Sequence, residues 1–378
     1  TNLIAQSERH VRGVITTPAA PGGLLDNMGQ LLWYWTMSTQ TTKRVALPVR
    51  VEHIRLFGPH PGAGTAVDAT VRFGSVTDAA VRADMQVVHR GRVWAHIEGW
   101  HSRRFDSDLE TEAAERFPER HTLSRISPWG WAVLVDRWPD LASRDLAMRR
   151  YLSAGERTDY DRCSPRARRP WLLGRIAVKD AVRRWLWDQG FGPVFPAEVQ
   201  VSHDERGRPR VVGWPSATLP PLEVSLAHCQ RVGVAIAAPR SGPGGIGIDI
   251  EEITERDDRT QDVALSPRER ALLAACRAET GESAAVWFTR FWTAKEAVSK
   301  AEGTGLGGRP RRYAVVEASP TELSVQVRPE ESPEENTADC AGTYRVRCEW
   351  LSNCEDQRER HYVVAWTTGP AARAGGTQ

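Results

Sequence analysis

Residues 244–252 read GGIGIDIEE and residues 291–300 read FWTAKEAVSK. The first stretch is short, apolar and introduced by glycines, the pattern of a strand. Asp249 and Glu251 stand two apart, so a strand sends both side chains out of one face. Two carboxylates projecting together are costly unless water, a cation or a base shares the site. Aimed at one point they suit a hard divalent ion, Mg2+ above all, which takes one or two carboxylates with substrate phosphates. Taken alone, the pair is equally an exposed strand end with solvated acids.

The second stretch lies in a helix expected over Ala284–Glu302, where Glu296 and Lys300 share a face at i and i+4. Alone they make an ordinary surface pair. Their neighbours Val286, Trp287, Phe288, Phe291 and Trp292 are apolar, so a charged face here reads as the lining of a cleft. The chain has only four lysines, at 43, 179, 295 and 300. Arginine would serve a surface pair equally well, so two lysines here point to a compact ammonium, as at a phosphate. From Arg144 to Arg184 twelve basic residues stand against five acids, while 251–282 holds nine acids against five bases. The first of these runs, with Arg166, Arg168 and Arg169 before Pro170, is a solvated basic helix or a phosphate clamp. The turn Gly207-Arg208-Pro209 and the strand end Ser225–His228 are further places for a nucleotide to approach, although a lone histidine such as His228 is more often structural.

The 378 residues make two or three domains. Fifty basic and 48 acidic residues leave a formal charge of +2, against a general nucleic-acid binder. Hydrophobic residues at 40% and charged ones at 26% exclude wholesale disorder. No stretch approaches the roughly 18 apolar residues of a membrane span, and no secretory signal is visible. The six cysteines form no CxxC pair, so the expectation is reduced thiols in a cytoplasmic protein. The chain starts without Met and reads as a piece of a longer polypeptide.

Residues 24–40 read as a buried helix, followed by strands at Val49–Phe57, Thr65–Phe73 and a hairpin over Ala80–Arg104 turned at Arg90-Gly91. That is the hot-dog arrangement, a sheet wrapped around one helix. Residues 106–121 are polar and read as a linker. Beyond them come a strand at Trp131–Val135 and helices at Pro139–Ser153 and Pro170–Gln189. Four strands follow, at Val199–His203, Arg210–Gly213, Glu223–His228 and Val232–Ala237. A second set repeats the theme: a strand at Ile246–Ile250, helices at Ser266–Arg277 and Ala284–Glu302, and strands at Arg312–Glu317, Leu323–Arg328, Tyr344–Trp350 and His361–Trp366. The fold class expected is α+β: a partial hot-dog domain over 1–105, then two similar α/β lobes of about 122–240 and 241–370 with a ligand cleft between them, and a disordered tail over 371–378.

GIGIDIEEI and FWTAKEAVSKAEGTGL resemble the two signature motifs of surfactin-type 4'-phosphopantetheinyl transferases, and RPWLLGRIAVKDAVR, RGRPRV and VSLAHC resemble three further blocks of that family. The departures are Arg208 where lysine is common, and Ala227 and Cys229 where serines are. The resemblance implies a pseudo-twofold fold. It also implies transfer of the phosphopantetheine arm of coenzyme A to a serine of an acyl carrier protein, in cis or in trans. It assigns Asp249, Glu251 and Glu296 to Mg2+, Glu296 to the serine proton, Lys300 to the diphosphate, and Arg166, Arg169, Arg208, His228, Lys295 and Lys300 to coenzyme A. LLDNMGQLLW resembles the D-x-x-x-Q motif of the second hot-dog of polyketide synthase dehydratases, with Asp26 as the catalytic acid and Gln30 its neighbour. The histidine motif of the first hot-dog has no match. The order of the two domains resembles the C-terminal end of enediyne-type iterative polyketide synthases, which would make the rest of such a synthase a partner. Two other readings stand beside an active transferase: a carrier-docking module that keeps the fold without the activity, and a dehydratase fragment with a passive C-terminal domain. Neither nucleic acid nor membrane is expected as a partner.

Overall fold

The computed structural model describes residues 2–40, 44–105, 113–114, 116–138, 141–212, 222–240, 244–329, 342–355 and 358–370. The tail over 371–378 and, within the expected linker, residues 106–112 and 115 lie outside the described residues. The chain divides into two compact units, Thr1–Glu115 with Trp138–Asp145, and Arg116–Arg137 with Leu146–Gln378.

In the first unit one helix, α1 (Gly23–Thr39), is enclosed by a six-stranded antiparallel sheet. The strands are β1 (Asn2–Gln6), β2 (His10–Thr16), β3 (Val45–Leu56), β4 (Ala66–Val76), β5 (Ala80–His89) and β6 (Arg92–Phe105), in the order β1-β2-β4-β5-β6-β3. Alternation decides which face is inside: along β5, Val81, Ala83, Met85 and Val87 are buried, and they share a core with Leu24, Met28, Leu31, Leu32 and Trp35 of α1. The β5–β6 turn falls where the sequence places it, with positive φ at both Arg90 and Gly91, the geometry that matches the twist of a hairpin. The strands β1 and β2 were not expected from the sequence. Every residue of β1 is exposed, so it carries no buried alternation to read.

The second unit is built twice over. Its first lobe holds α2 (Leu141–Tyr151, whose first residues group with the other unit), α3 (Ala154–Arg162) and the long α4 (Pro165–Asp188). Its sheet runs β7-β8-β12-β11-β10-β9, with β7 at Arg125–Ile126, β8 at Ala132–Val135, β9 at Gln200–His203, β10 at Pro209–Val212, β11 at Leu222–Cys229 and β12 at Val232–Pro239. The second lobe holds α5 (Asp258–Ala264), α6 (Pro267–Thr280) and α7 (Ala284–Glu302). Its sheet runs β13-β17-β16-β15-β14, with β13 at Gly247–Glu252, β14 at Tyr313–Ala318, β15 at Glu322–Val327, β16 at Gly342–Glu355 and β17 at Arg358–Thr367. In each lobe a long helix leads through a 3-10 turn (Pro196–Glu198, Pro310–Arg312) into a four-strand meander, and the strand preceding the helices pairs with the meander's last strand.

The repetition reaches individual side chains. Ser153 and Glu156 form a capping box on α3, and Ser266 and Glu269 form one on α6. Each glutamate also receives a buried lysine from the lobe's long helix, Lys179 at 2.6 Å and Lys295 at 2.7 Å. Each then accepts a backbone N–H from a meander strand, that of Val201 at 3.2 Å and of Val315 at 2.9 Å. The lysines finish their three-donor shells on carbonyls, Tyr151 and Pro196 in one lobe, Ala264 and Pro310 in the other.

Two apolar layers follow from the pleat. On β17, Val363 and Ala365 pack with α7, whereas Tyr362, Val364 and Trp366 face the other way, into a cluster with Val133, Val232 and Val234 of the first lobe. The lobes thus meet through their sheets, each keeping its helices outside.

Candidate active site

On β13, Ile248 and Ile250 belong to the cluster between the lobes, so Gly247, Asp249 and Glu251 face α7 by period two. Gly247 sets the distance: a Cβ there would lie 1.9 Å from the Ala297 carbonyl oxygen of α7. Only glycine lets the helix backbone sit directly on the strand. The acids two and four residues further on therefore meet the helix face that carries Glu296 and Lys300.

Lys300 Nζ donates to Asp249 Oδ1 at 2.7 Å and to the carbonyls of Ile248 and Leu226 at 3.2 and 3.4 Å. It ties both lobes to the acid pair. Asp249 is 6% exposed, and its Oδ2 is buried with no hydrogen-bond partner. Burial raises the Asp249 carboxyl above its ordinary range, against the pull of Lys300. Burial, the Asp249 charge and, more weakly, Glu296 push Glu251 up to about 7, while Arg256 at 3.7 Å and a Trp292 hydrogen bond oppose the rise. Glu296 is raised by burial and by Asp249, with Lys300 acting against them. The three carboxylates thus feel one another, and each is held nearer neutrality than in water.

Beside them opens a cavity of about 590 Å³ between the Asp204–Arg210 turn, β11, Gly245-Ile246 and the end of α7. The turn is organised by Asp204, whose Oδ1 accepts the N–H of Arg206 and of Arg208 at 2.9 Å each; the Arg208 N–H above all draws its carboxyl below the ordinary range. Arg208 lies across the C-terminus of α7, donating to the carbonyls of Glu302 and Gly303. Gly303, at φ +67°, leaves the space that the guanidinium fills. Arg206, Arg210 and Arg240 also line the cavity and were missed from sequence; the density of arginine in Arg206-Gly207-Arg208-Pro209-Arg210 was the signal, since a Gly-Pro turn gathers charges that lie close in sequence.

The expected site residues are not all brought together. His228 stands on β11 within electrostatic reach of Lys300 and Asp249, and its imidazole is held below the ordinary value by burial first and Lys300 next. Lys295 does not join the acids. Its ammonium is fully buried against Glu269, and a ligand phosphate would have to displace that carboxylate. Arg166 is exposed at the start of α4, and Arg169 pairs with the buried Asp136 at 3.1 Å; neither lines the cavity. Asp26 lies on the exposed face of α1, accepting from Gln30 at 2.8 Å. Among the described residues no three His, Cys, Asp or Glu side chains stand close enough together to hold a metal by themselves.

Residues 245–367 match the model of the 4'-phosphopantetheinyl transferase superfamily, and residues 7–112 that of the polyketide synthase dehydratase N-terminal domain. The chain therefore carries a phosphopantetheinyl transferase domain behind a dehydratase-type hot-dog domain. The second match supports the polyketide synthase dehydratase resemblance; its description names the N-terminal domain, whereas the D-x-x-x-Q motif pointed to the second hot-dog. No curated protein matches the chain. Similar solved structures include the dehydratase heterocomplex ApeI:P from Xenorhabdus doucetiae, with 12% identity, a TM-score of 0.24, and 30% of this chain covered against 86% of that one. The E. coli PaaI protein from the phenylacetic acid degradation operon has 18% identity and a TM-score of 0.24, over 28% of this chain and 80% of that one. A mutant thioesterase from Pseudomonas aeruginosa has 10% identity and a TM-score of 0.23, over 27% and 78%. Scores this low bear on nothing further. Among the described residues no helix is long and apolar enough to cross a membrane.

Proposed function

We propose that the chain transfers the 4'-phosphopantetheine group of coenzyme A to a serine of an acyl carrier protein, as a Mg2+-dependent, surfactin-type transferase serving an enediyne-type iterative polyketide synthase. The observation that carries this reading is the contact of Lys300 with Asp249, with Glu251 and Glu296 within electrostatic reach of Asp249, beside an arginine-lined cavity.

The donor set fits a hard cation: carboxylate oxygens only, one of them (Asp249 Oδ2) buried without a partner. Mg2+ ordinarily takes one or two carboxylates and completes its shell with phosphate and water, so the lack of a closed three-acid cage among the described residues is no misfit. One or two of Asp249, Glu251 and Glu296 would hold it, and when bound it supplies charge neutralisation on the diphosphate. Lys300 and Arg208 place fixed positive charge beside the same groups. Glu296, raised by its surroundings, suits the serine proton, because a base is most effective with a pKa near the working pH. The serine oxygen then bonds to the phosphorus bearing the pantetheine arm, and the bond to adenosine 3',5'-bisphosphate breaks. Positioning and charge do most of the work in such a transfer.

Incubation with coenzyme A, Mg2+ and an apo carrier protein, followed by mass spectrometry, tests the reading. The expected result is a carrier heavier by one phosphopantetheine with the wild type, and a loss of roughly a hundredfold or more with Glu296→Ala. Folded wild-type protein that leaves its own carrier unmodified rejects it.

A further inference from the structure

The strand that carries the acids, β13, is the outer strand of its sheet. In the first lobe β11 pairs along its whole length with β12, but among the described residues it meets β10 only at Glu223–Arg210. From Ser225 onward β11 and β13 therefore face each other across the lobe boundary as strands of different sheets, and side chains bridge them. The Ile248 N–H donates to Ser225 Oγ at 3.1 Å, while the Ile248 carbonyl accepts from Lys300 Nζ at 3.2 Å. The same ammonium reaches the carbonyl of Leu226, the residue after Ser225, at 3.4 Å, and Asp249 Oδ1 at 2.7 Å. Both backbone polar groups of Ile248 are thus held by side chains, and the next residue is the acid whose Oδ2 is buried without a partner.

We propose that Ser225 is a positioning residue of the transfer, acting through Ile248 to keep Asp249 and Lys300 in register; this rests on the transferase reading above. Ser225 is 4% exposed, so its hydroxyl and not bulk solvent satisfies the Ile248 N–H, and a buried amide left without an acceptor is costly. On its other side β13 is seated on α7 at Gly247. The hydroxyl is the matching restraint from the first lobe, and it comes from a strand that also lines the coenzyme A cavity. Without it the peptide before Asp249 loses its hold on β11, and the carboxylate is left with the flexible Lys300 side chain as its link to that lobe. Displacements of about 1 Å at a reacting centre are enough to cost rate.

Steady-state transfer to an apo carrier protein, measured with Ser225→Ala and Ser225→Thr at a temperature where circular dichroism shows both folded, tests this. Alanine is expected to lower kcat by about tenfold and to raise the Mg2+ concentration for half-maximal rate by about threefold or more, with KM for coenzyme A within about twofold of the wild type. Threonine keeps the hydroxyl on a side chain suited to a strand and should recover most of kcat. A second readout needs no turnover: the Mg2+ concentration that half-raises the unfolding midpoint should shift upward in the alanine variant by the same factor. A serine that merely joins the lobes would lower the midpoint and leave the Mg2+ dependence alone, and one that touches coenzyme A would raise its KM. Either result, or a threonine variant as impaired as alanine, overturns the proposal. If the wild type modifies no carrier, the transferase reading falls by itself and the Mg2+ titration of the midpoint still decides the place of Ser225; a wild type that Mg2+ does not stabilise ends this proposal too.

Discussion

Glu251 is the carboxylate that sets the charge state of the site. Its folded value of about 7 lies above the ordinary glutamate value of 4.5. Between the two, the folded chain therefore holds more proton than the unfolded one. The stability this lends is complete below pH 4.5 and is lost as pH rises through 7. Glu251→Gln should consequently raise the unfolding midpoint at pH 8, by the equivalent of about 1–3 kcal/mol, and leave it unchanged near pH 4.5. Denaturant titrations at the two pH values check this; an equal effect at both sinks it. Mg2+ should act in the same direction at pH 8, raising the wild-type midpoint while leaving Asp249→Asn largely unmoved. At this scale the sequence was informative about which residues meet and silent about which lysine does what. Lys295 and Lys300 stand five apart in one motif, yet one is a buried strut and the other faces the acids. The scarcity of lysine pointed to a phosphate, yet each of the three described lysines pairs with a carboxylate inside the protein: Lys179 with Glu156, Lys295 with Glu269 and Lys300 with Asp249.

The long helices carry the argument at the level of elements. Lys179→Met and Lys295→Met each strand a buried glutamate, and each should destabilise by about 3–5 kcal/mol, with similar losses in the two lobes if the repeated device does the same work in both. Equilibrium unfolding measures it, and a loss in one lobe only would contradict the equivalence. Gly247→Ala drives a Cβ into the Ala297 carbonyl, so β13 and α7 must part. The expected cost is about 2 kcal/mol or more, and the contact of Asp249 with Lys300 should open, lowering transfer even at temperatures where the chain stays folded. Periodicity gave α7 its limits at Ala284 and Glu302, because its ends are marked by the Ser283 cap and Gly303. It placed the start of α4 at Pro170, whereas the helix begins at Pro165 and carries Pro170 inside; both prolines are start signals, and only packing chooses. The short helices α3 and α5 were missed because neither has an apolar face long enough to show a period.

The whole molecule has separate cores, one around α1 and others around α7 and between the two sheets of the second unit. Calorimetric unfolding should accordingly resolve more than one transition. Coenzyme A with Mg2+ should raise the transition of the second unit by mass action and leave that of the first in place. A single transition that moves as one would refute the separation.

The sequence by itself determined the α+β class, the hairpin at Arg90-Gly91, the doubled lobes and the pair of motifs that bring acids and ammonium together, because all of these rest on spacing within one element. Only the tertiary structure decided that Lys295 is a strut, that Arg206, Arg210 and Arg240 line the first cavity, and that five arginines from three separate stretches of chain line a second. Those outcomes depend on which faces meet across chain separations of tens of residues, and local periodicity holds no record of that.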